Sequence, residues 1–197
     1  MTTVHDGGVG IAAGSGRGTR GITDQSVQAA LREVAVAQAR DYYLDDAHPY
    51  GCAETAFITL KGVYGLAEPT DPAAAIALNG GIAYSGGPCG AITGAALAVG
   101  LLAEQRIADH GTAKLVAREL VHGTMTAFRE AHGAVGCREL IGYDLRAPGE
   151  HEAFLESGLW REACMGQIRT VVEHLAELAD PDVWARAVEE IEAARDH

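Results

Sequence analysis

The sequence predicts an all-α protein: a compact helical bundle with a buried central helix and a flexible Gly-rich N-terminal tail. Three observations carry this. From Asp24 onward, apolar residues recur at the three- and four-residue spacing of a helix face through most of the chain. No segment alternates apolar and polar residues over a length that makes a convincing strand, and no internal repeat is visible. One segment, from Cys89 to about Gln105, is apolar nearly all round, as expected of a helix with neighbours on every side.

The elements follow in order. Residues 1–21 carry Gly7, Gly8, Gly10, Gly14, Gly16, Gly18 and Gly21, a composition with high chain entropy and little to bury, and they are read as the tail. Gly16–Gly21 is formally GxGxxG, but no strand precedes it and no βαβ unit follows. A first helix, with Asp24 or Ser26 as cap, is expected to run to about Leu44, with Val27, Leu31, Val34 and Gln38 on one face. Asp45 to Pro49 breaks it. A second helix starts near Cys52 and ends at about Tyr64, before Gly65 and Pro69. A short helix follows Asp71-Pro72, and the glycine-dense stretch from Gly80 to Pro88 is a loop. The central helix begins at Cys89; Gly90, Gly94 and Ala98 make one of its faces nearly flat, so that another helix or a cofactor can approach closely. Thr112 to Ala131 is amphipathic. A polar connection through Pro148 leads to the stripe Trp160, Cys164, Ile168, Val171, Leu175, Leu178. Pro181 opens a charged last helix over Val183 to Ala194, expected to face solvent. Residues 22–197 are thus expected to form one helical domain.

Composition restricts the function classes. The chain of 197 residues is 48% hydrophobic and 21% charged, enough for a sizeable core. Its net charge of −12 repels phosphates, so neither nucleic acid nor an anionic membrane surface is an expected partner. Met1 to Arg20 has no apolar run fit for a signal peptide, and Ala91 to Ala103 falls short of a bilayer span of about 20 residues. The expectation is a soluble, cytoplasmic protein, in a compartment where its four cysteines stay reduced. That leaves metal ligation, redox chemistry or core packing for them.

Cys52, Cys89, Cys137 and Cys164 form no CxxC pair, so zinc-ribbon, ferredoxin and thioredoxin signatures are absent. Their local settings are more informative. Cys89 follows Gly86-Gly87-Pro88, Cys52 follows Tyr50-Gly51, and Cys137 follows Gly136. Each stands where glycine or proline gives way to a helix. A thiolate there meets free N–H groups and the positive end of the helix dipole, which lower its pKa. Cys89 is therefore expected to be the activated thiol. Cys164 lies instead on the apolar stripe of its helix, where packing explains it equally well.

Cys89-Gly-Ala-Ile-Thr-Gly94 matches CGAxxG, Gly51-Cys52-Ala53-Glu54 precedes it, and Gly136-Cys137-Arg138-Glu139-Leu140-Ile141-Gly142 and Cys164 follow. Over about residues 50–175 this order resembles the redox-active protein family named for its C-GCAxxG-C-C cysteine pattern. The resemblance implies a redox or metal role for all four cysteines and supplies no particular reaction. Three readings follow. In the first, Cys52, Cys89, Cys137 and Cys164 ligate an iron–sulfur cluster for electron transfer or substrate activation, with Gly90 and Gly94 leaving room beside it. In the second, a metal-free thiol–disulfide oxidoreductase uses Cys89 as attacking thiolate and another cysteine to resolve the intermediate. In the third, zinc held by the four thiolates, or by three and His48, makes a non-catalytic metal-binding or assembly protein. Partners would be an electron donor or acceptor or a small-molecule substrate, and a homo-oligomer is allowed.

Other candidates are weaker. No HExxH pair occurs among His5, His48, His110, His122, His132, His151, His174 and His197. Glu54 and Glu139 each follow a cysteine by two residues and could serve as general acid or base, although glutamates at helix starts also suit the dipole. Tyr42, Tyr43 and Tyr84 could line a pocket.

Overall fold

The computed structural model describes residues 24–45 and 50–195. The Gly-rich tail, the GxGxxG stretch and His48 lie outside the described residues. Helix α1 spans Asp24–Leu44 and α2 spans Cys52–Val63. A 3₁₀ turn, Ala73–Leu78, leads to the glycine-dense loop. Helix α3 spans Gly90–Arg106 and α4 spans His110–His132. The short α5, Cys137–Ile141, and α6, Glu150–Ser157, precede a π-helical turn, Trp160–Cys164. That turn runs straight into α7, Met165–Ala176. A 3₁₀ turn, Glu177–Ala179, then leads to α8, Pro181–Arg195. No strand occurs among the described residues, only a single antiparallel bridge between Pro88 and Gly136.

The core forms where α2, α3 and α7 meet, with α1 against α2 and α7 and with α4 against α3 and α7. Phe57, Ile58, Leu60, Val99, Leu102, Val116, Phe128, Ile168, Val171 and Leu175 are sealed from solvent. Burying such side chains contributes about 1.5–3 kcal/mol each. Tyr64 donates from within this core to the Leu175 carbonyl at 3.0 Å, so its hydroxyl is not left unpaired. Helix α3 is central, as its composition implies, although Leu101 stays exposed on one side. Helix α4 is held by Asp109, whose carboxylate accepts from the Thr112 N–H at 2.7 Å, and ends at Gly133 in the left-handed conformation.

Two helix faces differ from the sequence expectation. In α1 the buried residues are Ala35 and Ala39, whereas Val27 and Val34 are exposed. Alanine lets α1 lie close to α2 and α7, and that closeness outweighs the burial of two valines. In α8, Trp184 is buried with the Arg106 guanidinium 5.3 Å from its ring, so the helix docks rather than facing water entirely. The connection through Pro148 also holds a helix, α6, which packs Phe154 against Cys137, Ile141 and Cys164.

Among the described residues, no helix is long and apolar enough to cross a membrane.

Candidate functional site

Helix α2 starts without a side-chain cap of its own, because its N-cap residue is Gly51. Two other side chains serve. The Glu54 carboxylate accepts from the Gly51 N–H at 2.9 Å, and Asn79 reaches across from the 3₁₀ turn. Asn79 Oδ1 accepts from the Ala53 N–H at 2.9 Å, and its Nδ2 donates to Glu54 at 2.7 Å. A methyl group at Gly51 would overlap the Asn79 amide, so glycine here makes room for a cap supplied from elsewhere in the chain. Cys52 occupies the first turn so formed, 3.9 Å from Asn79 Oδ1.

Helix α3 approaches from the other side. A Cβ at Gly94 would overlap the Ala53 carbonyl, and a Cβ at Gly90 would overlap the Cys52 sulfur. The flat face of α3 thus receives α2, and no cofactor can occupy it without displacing that helix. Just before α3, the Cys89 N–H donates to the Val135 carbonyl at 2.8 Å, and the Cys137 N–H donates to the Gly87 carbonyl at 2.6 Å. These two bonds tie the starts of α3 and α5 side by side. Cys89 is buried, and its thiol lies 3.4 Å from the Oε1 of the buried Gln167 on α7.

Cys164 closes the set. It ends the π turn and shares a small apolar cluster with Cys137, Ile141 and Phe154. Tyr43 packs on that cluster, and its ring meets Trp160 edge-on at 5.7 Å. The wider π turn carries Trp160 off the α7 stripe to the wall of a pocket of about 340 Å³. Cys52, Cys137 and Cys164 all line this pocket, with Tyr43, Tyr50, Tyr84, His151, Phe154 and Leu155 among the other walls. Cys89 lies behind Cys52.

The loop over the pocket is strained. Gly80, Gly81, Ile82, Ala83 and Tyr84 all have φ between 51° and 73°, a left-handed turn in which three residues carry side chains. Hydrogen bonds from Gly86 to Gly80 O and from Gly87 to Gly81 O brace it, at 3.1 Å each. The Arg146 guanidinium donates to the Ala83 carbonyl at 3.1 Å. The turn presents Tyr84 to the pocket, where its ring lies 5.0 Å from the His151 ring on α6.

The two thiols shift each other in opposite directions, and Cys52 is the one on the pocket wall. Contact with Cys89, reinforced by the N–H groups of Gly80, Ala53 and Cys52, brings the Cys52 pKa down to about 7 despite burial. Cys89 moves well above the ordinary thiol value, first through its contact with Cys52 and then through burial and the Cys52 charge. A helix start lowers a thiol only if the free N–H groups reach its sulfur, and at α3 the neighbouring Cys52 outweighs them. Burial, aided by the Cys52 charge, pushes Cys137 up to about 11 and Cys164 up to about 12. Tyr43, in contact with Cys164, is pushed far above the phenol range by burial.

Of the other sequence candidates, Glu54 lines the pocket but is bound to the α2 cap, and Glu139 is exposed on α5 away from the wall. Tyr43 and Tyr84 line the pocket, whereas Tyr42 packs edge-on against Tyr50 at 6.0 Å. Asn79, Gln167, Tyr50, His151, Phe154 and Trp160 were not singled out for the site from sequence. A helix beginning at Gly51 with no capping side chain is the one local sign that a residue such as Asn79 had to exist.

All four cysteines are free thiols, and no group of three or more His, Cys, Asp or Glu side chains among the described residues is arranged to hold a metal ion. Four thiols suit a cluster by chemistry, and three of them line one pocket. Fold and site together define an all-α four-thiol protein. The family model described as "Putative redox-active protein (C_GCAxxG_C_C)" matches residues 50–178, and the chain belongs to that family. No curated protein and no solved structure matches the chain.

Proposed function

We propose that the chain is a metal-free thiol–disulfide oxidoreductase in which Cys52 attacks and Cys89 resolves. The observation that carries this reading is the placement of the two thiols: Cys52 lies on the pocket wall against Gly90, the residue that follows Cys89, and Cys89 is buried behind it. Cys52 thiolate attacks one sulfur of a substrate disulfide and expels the other half as a thiolate. Two of the four effects that raise Cys89, its contact with Cys52 and the Cys52 charge, vanish once Cys52 is capped. Cys89 then ionises more easily, passes its proton to the leaving thiolate and attacks Cys52, releasing the second half as a thiolate that takes its proton from water. The protein ends as a Cys52–Cys89 disulfide and the substrate has gained two electrons. An external thiol reductant resets it.

In reduced protein, Cys52 should alkylate first, with a pH midpoint near 7, while Cys89, Cys137 and Cys164 stay slow until well above the ordinary value of 9.0. Mass spectrometry of iodoacetamide-treated protein across pH reads this out. Cys89→Ala should move the Cys52 midpoint upward. Equal, slow alkylation of all four cysteines would remove the reading.

A second reading, an iron–sulfur cluster held by the four cysteines, is favoured by the arrangement of Cys52, Cys137 and Cys164 around one pocket with Cys89 adjoining. It requires the side chains to rearrange. Iron and acid-labile sulfide in protein expressed anaerobically would establish it in place of the first. Zinc in stoichiometric amount would instead favour a non-catalytic metal-binding role.

A further inference from the structure

The pocket is informative about what Cys52 can meet. Among its lining residues the carboxylates are Asp45 and Glu54, and the cysteine ionised near neutrality is a third negative charge. No Lys or Arg lines it among the described residues. The arginines near this end are engaged elsewhere. Arg138 pairs with Asp144 at 2.8 Å, Arg146 donates to Ala83 O, and Arg161 lies 4.2 Å from the Trp160 ring centre. An anionic substrate would enter against like charge.

Most of the remaining wall is aromatic or aliphatic, beside Asn79 and His151. Tyr43, Tyr50, Tyr84, Phe154 and Trp160 supply rings, with Ile141, Leu145 and Leu155 between them. Tyr84 and Leu155 are 41% and 49% exposed, so the protein leaves large apolar side chains in water at this site. The backbone supports the same reading: three side-chain-bearing residues are kept left-handed in the turn that ends by presenting Tyr84. Each such residue costs about 1–2 kcal/mol, and strain of this kind persists where a position is needed. A pocket of about 340 Å³ is at the small end of ligand sites.

We infer that the substrate of the Cys52 site is a small disulfide bearing a flat apolar group and no negative charge, gripped by Tyr84 and its neighbouring rings, rather than an anionic thiol carrier of the glutathione type. This rests on the thiol–disulfide reading above. The reaction is the exchange already described: the substrate S–S bond breaks, the Cys52–Cys89 bond forms, and the substrate halves leave as one thiol and one thiolate.

The test is stopped-flow reaction of the fully reduced protein at pH 8 and low salt with three disulfides: dithiodipyridine (neutral, aromatic), dithiobis(nitrobenzoate) (dianionic, aromatic) and cystamine (dicationic, aliphatic). Each rate is divided by that of a small free thiol with the same reagent. Dithiodipyridine should exceed dithiobis(nitrobenzoate) by at least about tenfold after this division, about 1.4 kcal/mol. Asp45→Asn should narrow the gap. Tyr84→Ala, a change on an exposed loop, should slow dithiodipyridine about three- to tenfold, the worth of one aromatic contact, and leave cystamine unchanged. A fast Cys52 burst with no preference between the two aromatic reagents would overturn this inference while leaving the oxidoreductase reading standing. No Cys52 burst with any reagent would overturn both.

Discussion

At Gly90 and Gly94 a single hydrogen stands where any other residue would carry carbon, yet the two positions have different consequences. Beneath Gly94 lies the backbone of Ala53, which cannot swing aside; beneath Gly90 lies the Cys52 sulfur, which can. Gly94→Ala should therefore destabilise by about 2–3 kcal/mol, lowering Tm by roughly 5–10 °C for a chain of this size. Gly90→Ala should cost less in Tm but push the Cys52 thiol from its N–H groups, raising its alkylation midpoint above about 7. Thermal melts and pH-dependent alkylation of the two variants separate these effects. The cysteines and both glycines were legible in the sequence because their neighbours along the chain identify them. Asn79 and Gln167 were not, since their partners lie 26 and 78 residues away and leave no local pattern.

At the scale of elements, the left-handed turn over residues 80–84 inverts a usual rule. Glycine in place of alanine normally destabilises by loosening the unfolded chain. At Ala83, with φ 51°, the folded state carries the greater penalty. Ala83→Gly should leave urea stability unchanged or raise it by up to about 1 kcal/mol. Ala98→Gly, in the buried middle of α3, should lower it. Chemical denaturation of the pair decides this, and a loss at both positions would mean that the turn is not strained. The long helices were readable from their apolar spacing. Helix α6 was not: eight residues between two left-handed glycines, with Phe154 alone buried, offer almost no period to detect. The burial face of α1 was misjudged for a related reason. Valine carries a strong apolar signal, whereas Ala35 and Ala39 owe their burial to a close helix contact that only the assembled bundle provides.

For the whole molecule, the thiols set an alkaline limit. Cys52 has a folded pKa of about 7, below its ordinary 9.0, so its contribution is complete above pH 9 and fades as pH falls through 7. Cys137 and Cys164, at about 11 and about 12, act oppositely: their contribution is complete below pH 9 and is lost as pH rises toward those values. Cys89, Tyr43 and Tyr64 are raised as well and act in the same direction. Under reducing conditions, urea midpoints should hold or rise from pH 7 to about pH 9 and then fall. Cys164→Ala should flatten part of that fall. A midpoint independent of pH above 9 would show that the buried thiols are not held neutral by the fold.

The bridge between Pro88 and Gly136 also has a bearing on synthesis. It joins segments that a ribosome makes seconds apart at about 5–20 residues per second. Cys52 and Cys89 emerge early, whereas α5, α6 and the π turn that cover them come later. During that interval the nascent chain carries two thiols whose shield has not yet been made. An oxidant met then can cross-link them, to each other or to another chain, before the pocket that selects their partners exists.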